Sequence, residues 1–140
     1  MGAYATGIAS EFYILSVLHR LGLNATLPLG NRKSIDIVIV GKAGKSVTVD
    51  VKGAVSPAFF VDNQVNNTDP KHFVVFVTYL NKFNDPHFSP EVYVVPSCDV
   101  SKLAKRAPSG KTVVHLPTLR KHNPPYRDNW VAIRRVLQND

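Results

Sequence analysis

The stretch that decides the fold covers residues 34–53 and has the sequence SIDIVIVGKAGKSVTVDVKG. Apolar, mostly β-branched residues occupy every second position on both sides of the loop GKAGK at residues 41–45. This alternation is typical of strands that each bury one face, and the two loop glycines suit a turn between antiparallel strands. The stretch therefore predicts a β-hairpin.

The loop also predicts how the two strands pair. If residues 41–45 form a symmetric connection, Asp36 lies directly opposite Asp50. Because side chains alternate between the two faces of a strand, Lys52 projects from the same face as Asp50, and the isoleucines and valines project from the other face. Like charges in directly opposed positions are destabilising, so the two carboxylates need a stabilising partner.

Two interpretations of the carboxylate pair remain open. Asp36 and Asp50 either lie on a solvated sheet face and pair with Lys33 or Lys52, or they bind a divalent cation. Mg²⁺ prefers oxygen ligands and is often held by one or two carboxylates, with water and substrate phosphates completing its shell; we expect Mn²⁺ to substitute for it. Lys52 would then orient or help to deprotonate an attacking water, or stabilise charge on a phosphate.

The region before the hairpin predicts an amphipathic helix over residues 3–21. Ile8, Leu15 and Leu18 fall on one face of this helix, and Glu11 belongs to the same stripe. A carboxylate near the core is costly unless a positive group meets it. Since the helix must pack against the sheet, we expect Glu11 to add a third carboxylate to the rim of the site.

The rest of the chain predicts a continuation of the same domain. Strands are predicted at residues 73–80, 92–95 and 112–116, and helices at residues 99–106 and after Asp128. The polar run 62–69 predicts an irregular or helical segment, and residues 119–126 predict a turn. A helix following the polar run would bring Gln64 and Lys71 toward the carboxylates. Without repeats or a long linker, residues 1–140 are expected to form one α/β domain, a mixed central β-sheet flanked by helices.

Composition excludes several classes of protein. The chain has 140 residues, of which 44% are hydrophobic and 19% charged, enough to bury a core. Its apolar runs are far shorter than the ~20 residues of a membrane helix, and no signal segment opens it. Cys98 is the single cysteine, which predicts a reducing, intracellular and most simply cytoplasmic setting. The five histidines lack zinc-ligand spacing, and no glycine-rich nucleotide loop suggests an organic cofactor.

Charge points to a polyanionic partner. The net charge is +7, and residues 101–140 hold nine Lys or Arg against two acids, whereas residues 1–100 are balanced. The alternative is a basic surface that only aids solubility. The residues predicted to contact nucleic acid are Arg32, Lys33, Arg120, Lys121, Arg127, Arg134 and Arg135.

The order of these features resembles the PD-(D/E)xK nuclease superfamily, especially compact members such as archaeal Holliday-junction resolvases and small restriction-like or homing endonucleases. The resemblance covers residues 3–53 and rests on helical Glu11, SIDIV at residues 34–38 and VDVKG at residues 49–53. Ile35 stands in place of the nominal proline, and Asp50 takes a position often held by glutamate. The resemblance implies a restriction-endonuclease-like core of a helix, three strands, a helix and a strand.

The resemblance also implies a function. The chain would be a Mg²⁺-dependent endodeoxyribonuclease that acts on branched DNA or as a restriction-like or homing endonuclease, with Asp36 and Asp50 as metal ligands, Lys52 as the catalytic lysine and Glu11 as an accessory acid and ligand. A homodimer is expected, because cutting both strands takes two sites. The alternatives are a catalytically inactive nucleic-acid-binding module on the same fold and a domain that acts through a protein partner.

Overall fold

The computed structural model describes residues 2–28 and 35–138. The helices in this part of the chain are α1 (Ala3–Arg20), α2 (Ser97–Leu103), α3 (Leu116–Lys121) and α4 (Val131–Gln138). The strands are β1 (Asn24–Thr26), β2 (Ile37–Val40), β3 (Ser46–Ala54), β4 (Ala58–Phe60), β5 (His72–Thr78), β6 (Glu91–Pro96), β7 (Lys105–Arg106) and β8 (Thr112–His115). None of the described helices is both long and apolar enough to pass through a bilayer.

The main sheet has five strands in the order β1-β2-β3-β5-β6. Only the pairing of β3 with β5 is parallel, so the sheet is mixed. Helices α1 and α4 bury apolar side chains against one face, and α2, α3 and a smaller sheet in the order β4-β8-β7 cover the other. The predicted α/β class, with a mixed central sheet flanked by helices, is confirmed.

The predicted hairpin and its register are confirmed. Val40 pairs with Ser46, and Ile37 pairs with Val49. The loop contains a single 3-10 turn at Lys42–Gly44. The isoleucine and valine side chains of β2 and β3 that alternation assigns to the apolar face are buried against α1 and α4.

Helix α1 buries part of the stripe that hydrophobicity predicts, because Leu18 is fully buried and Leu15 packs against the core, but the first half of the helix differs. Ile8 is 39% exposed, whereas Ser10 and Ile14 are fully buried. The Oγ of Ser10 donates a hydrogen bond to the carbonyl of Thr6 at 2.7 Å, so this polar side chain is satisfied inside the protein. An added Cβ at Gly53 in β3 would lie 2.1 Å from that Oγ, so a small residue on each side lets α1 and β3 come close together.

Three downstream predictions differ from the structure. The polar run 62–69 forms turns after β4 and contains no helix, so the helix that the resemblance implies between β3 and β5 is absent from the described residues. The segment predicted as one helix at residues 99–106 divides into α2 and β7. Helix α3 takes in residues 119–121, the start of the turn predicted at residues 119–126, because Pro117 suits the first turn of a helix and Leu116 and Leu119 bury their side chains.

Candidate active site

Two carboxylates meet at the start of the hairpin, as the register predicted. Asp36 directly precedes β2, and its main-chain N–H donates to the carbonyl of Val49 at 2.8 Å. The Oδ2 of Asp36 accepts a hydrogen bond from the N–H of Val51 at 2.8 Å. Asp50 lies inside β3 with 4% of its surface exposed, and its carboxyl group is hydrogen-bonded to that of Asp36.

The environment of Asp36 favours its protonated form. Burial, the hydrogen bond to Asp50 and the negative charge of Asp50 raise the pKa of Asp36 to about 7, while the N–H of Val51 and the Lys52 cation act in the opposite direction. A hydrogen bond between two carboxyl groups requires a proton on one of them. The pair therefore retains one proton up to about neutral pH unless a cation replaces it.

Glu11 approaches this pair from the side of Asp36. Burial and the negative charge of Asp36 raise the pKa of Glu11. Helix α1 packs on the sheet face opposite to Asp50, so Glu11 faces the edge of the site. No group of three or more His, Cys, Asp or Glu side chains within residues 2–28 and 35–138 is placed to hold a metal ion. The assignment of Glu11 as a third metal ligand thus stays a prediction.

Gln64 completes the polar cluster around Asp50. Its Nε2 donates to the Oδ2 of Asp50 at 2.5 Å, and the side chain is 95% removed from solvent. Its Oε1 is buried without a hydrogen-bond partner. A turn rather than a helix brings Gln64 here, and Lys71 remains exposed. The sequence marks this position only as part of a polar run.

His72 is a second buried polar residue on the same face, and sequence analysis gave it no role. Its Nδ1 lies 2.6 Å from the Oγ1 of Thr48, which pairs with it across β3 and β5, while its Nε2 has no hydrogen-bond partner. Burial lowers the pKa of His72, although the charges of Asp69 and Asp36 oppose this effect. The imidazole is therefore held mainly in its neutral form beside the carboxylates.

These groups fit a hard divalent cation. The two carboxyl groups and the unpartnered Oε1 of Gln64 offer oxygen donors, which Mg²⁺ and Mn²⁺ prefer. A buried acceptor without a partner is uncommon and indicates a missing ion or water. A cation would also remove the like-charge repulsion that raises the pKa of Asp36.

Lys52 opens onto a cleft of about 470 Å³ between the first turns of α1 and strand β4. Thr6, Gly7 and Phe60 also line this cleft, as does Val51, whose N–H binds Asp36. The cleft is large enough for part of a nucleotide chain. A second cleft of about 570 Å³ is lined by Gly22, by residues of the hairpin loop and by the end of α4, and neither cleft is lined by Asp36 or Asp50.

Three of the predicted nucleic-acid contacts already have partners within the protein. Arg120 makes two hydrogen bonds to the carboxylate of Glu91, at 2.7 and 3.1 Å, and Arg127 lies 3.9 Å from the same group. Arg134 donates to the carbonyl of Leu21 at the end of α1. The remaining predicted contacts with described positions, Lys121 and Arg135, are exposed, while Arg32 and Lys33 lie outside the described residues. Their roles in DNA binding stay predictions.

No family model matches this chain, and no curated protein matches it. Among solved structures, the chain is similar to that of a bacterial homing endonuclease, I-Ssp6803I. The two chains superpose with a TM-score of 0.58 over 96% of this chain and 94% of that one, and 21% of the aligned residues are identical. The chain therefore shares its overall fold with this homing endonuclease.

Proposed function

We propose that this protein is a metal-dependent DNA endonuclease that hydrolyses phosphodiester bonds. The observation that carries this proposal is the pair formed by half-buried Asp36 and buried Asp50, two residues along β3 from Lys52, which lines a cleft open to solvent. A carboxyl group whose pKa is strongly raised, as that of Asp36 is, is a candidate catalytic group. The fold shared with the bacterial homing endonuclease I-Ssp6803I supports the same function.

Each residue of the cluster has a distinct role in this proposal. Asp36 and Asp50 hold Mg²⁺ or Mn²⁺, which when bound supplies Lewis-acid stabilisation of charge on the phosphate. Gln64 fixes the rotamer of Asp50 through its Nε2. The Nζ of Lys52 orients the attacking water or stabilises a phosphate oxygen, and the carboxyl group of Glu11 accepts or donates a proton at the edge of the site.

The direct test is cleavage of supercoiled, linear and four-way-junction DNA with Mg²⁺ or Mn²⁺, and with EDTA as the control. We expect cleavage with either metal and none with EDTA, and the preferred substrate distinguishes a junction resolvase from a restriction-like or homing enzyme. If the protein binds all three DNAs and cuts none with either metal, the proposal is wrong and the fold serves as a binding module.

A homodimer is part of this proposal, because one site per chain cuts one strand and a two-fold pair matches the symmetry of duplex or junction DNA. Sedimentation of the protein with and without duplex DNA measures its state. A particle with the mass of one chain under both conditions would remove the dimer from the proposal and leave the catalytic site untouched.

Gln64 should be needed for positioning rather than for folding. We expect Gln64→Ala to lower the cleavage rate or the apparent Mg²⁺ affinity by about 10- to 100-fold, the usual effect of removing a residue that orients a metal ligand. Asn63→Ala is the matched control, because Asn63 is the exposed neighbour in the same turn. The cleavage rate of each variant is measured as a function of Mg²⁺ concentration. If both variants lower the rate or the apparent Mg²⁺ affinity equally, this role of Gln64 is contradicted.

A further inference from the structure

The small sheet presents an outer face that the core does not use. Phe60 pairs with Val113, and Val113 pairs on its other side with Lys105, so these three side chains form one row across the sheet. Phe59, the neighbour of Phe60, points inward and packs edge-on against Phe76 at 5.0 Å between ring centroids. Phe60 is consequently 53% exposed, although it is a large apolar residue.

This outer face carries positive charge that has no acidic partner among the described residues. Lys105 and Lys111 are exposed and form no ion pair in residues 2–28 and 35–138. The Nζ of Lys111 lies 4.8 Å from the centroid of the Phe60 ring. The nearby acid Asp62 accepts a hydrogen bond from the N–H of Thr112 at 2.7 Å. Cations around an exposed ring suit the charged backbone and flat bases or sugars of a nucleic acid.

The same face continues into the candidate active site. Phe60 and Lys52 line one cleft, together with Val51. The N–H of Val51 holds the carboxylate of Asp36. A chain of phosphates lying along the outer face of the small sheet would thus lead to Lys52, which is two residues from Asp50 in β3. By contrast, Arg120 and Arg127 share an acidic partner, Glu91.

We propose that Lys105, Lys111 and Phe60 form a DNA-binding surface, here called the small-sheet surface, that directs the phosphate backbone into the Lys52 cleft. The proposal rests on the nuclease function proposed above. The two lysines contact phosphates without reading sequence, and the ring of Phe60 contacts a base or sugar at the entrance of the cleft.

The test measures binding of a short DNA duplex in EDTA, so that no cleavage occurs, by fluorescence anisotropy between about 50 and 200 mM salt. We expect Lys105→Gln/Lys111→Gln to reduce the slope of log Kobs against log salt by about 1.8, since each lost phosphate contact removes about 0.9. Phe60→Ala should weaken binding about tenfold and leave the slope unchanged.

The matched control is Lys42→Gln/Lys82→Gln. Lys82 also lies over a phenylalanine ring, with its Nζ 5.4 Å from the centroid of Phe88, and Lys42 is exposed in the hairpin loop. This variant has the same change in net charge and should keep the wild-type slope. If both double variants change the slope equally, net charge alone is responsible and the small-sheet surface is overturned.

Other outcomes separate this inference from the nuclease proposal. If the wild-type protein cuts DNA and Lys105→Gln/Lys111→Gln binds and cuts equally well, the small-sheet surface is wrong and the nuclease stands. If the slope falls as expected and no metal supports cleavage, the surface stands and the nuclease is wrong. If the wild-type protein does not bind duplex DNA, this inference is overturned. It is also overturned if the protein binds polyglutamate as tightly as DNA, because the surface then fits an acidic protein.

Discussion

Asp50→Asn is expected to lower the rate of DNA cleavage by at least about 10³-fold without loss of folded structure. Asparagine has nearly the same shape as aspartate, and its Oδ1 can still accept the hydrogen bond from Nε2 of Gln64. The substitution removes one of the two negative charges that would hold the metal. It also removes a like charge that raises the pKa of Asp36, so the variant should be at least as stable as the wild type without metal.

Single-turnover cleavage at saturating protein measures the chemical step, and thermal unfolding in EDTA measures stability. Asp85→Asn is the control, because Asp85 is exposed and only accepts a hydrogen bond from the N–H of His87 at 2.9 Å. It should cut at the wild-type rate. Cleavage by Asp50→Asn within tenfold of the wild type would show that this carboxylate is not a metal ligand for the reaction.

The second large effect is on stability, and it depends on pH and metal. Folded Asp36 keeps its proton until about pH 7, whereas the unfolded chain releases it near the ordinary value of 3.8. The folded state therefore binds more protons between these values, and the free energy of unfolding must fall as pH rises from about 4 to about 7. The raised pKa of Glu11 contributes in the same direction, while the lowered pKa of His72 reduces stability as pH falls below 6.5.

Asp36→Asn isolates the contribution of Asp36, because Glu11 and His72 remain in both proteins. In EDTA, the variant should gain stability relative to the wild type as pH rises from about 4 to about 7. Chemical denaturation at a series of pH values gives this difference directly. A difference that does not change with pH would contradict the protonated carboxyl pair.

Above about pH 7, Mg²⁺ should restore the stability that the protein without metal loses between about pH 4 and about pH 7. A ligand that binds only the folded state at a hundred times its dissociation constant adds about 2.7 kcal/mol to the free energy of unfolding. We expect this gain in the wild type and in Lys52→Gln, which retains both carboxylates, and not in Asp36→Asn. Equal Mg²⁺ stabilisation of all three proteins would place the cation elsewhere, and no stabilisation of the wild type would contradict a metal at the pair.

The sequence alone determined the hairpin, its register and the meeting of Asp36 with Asp50. These features depend on local rules, because alternation assigns each side chain to a face and a five-residue loop fixes the pairing. The positions of β5 and β6 followed from continuous apolar, β-branched runs that form buried strands. The α/β class followed from the same patterns.

Only the tertiary structure decided which distant residues join the site. Gln64 reaches Asp50 through a turn, the parallel pairing of β3 and β5 places His72 on the same sheet face, and neither placement leaves a periodic signal in the sequence. The buried face of α1 includes Ser10 and not Ile8, because the close approach to Gly53 favours a small, hydrogen-bonded residue over a larger apolar one. Net charge indicated a polyanionic partner. Three-dimensional neighbours decide that Arg120 pairs with Glu91 and that Lys105 and Lys111 form no ion pair among the described residues. Local periodicity therefore specifies strands and faces, whereas contacts between distant segments specify the site.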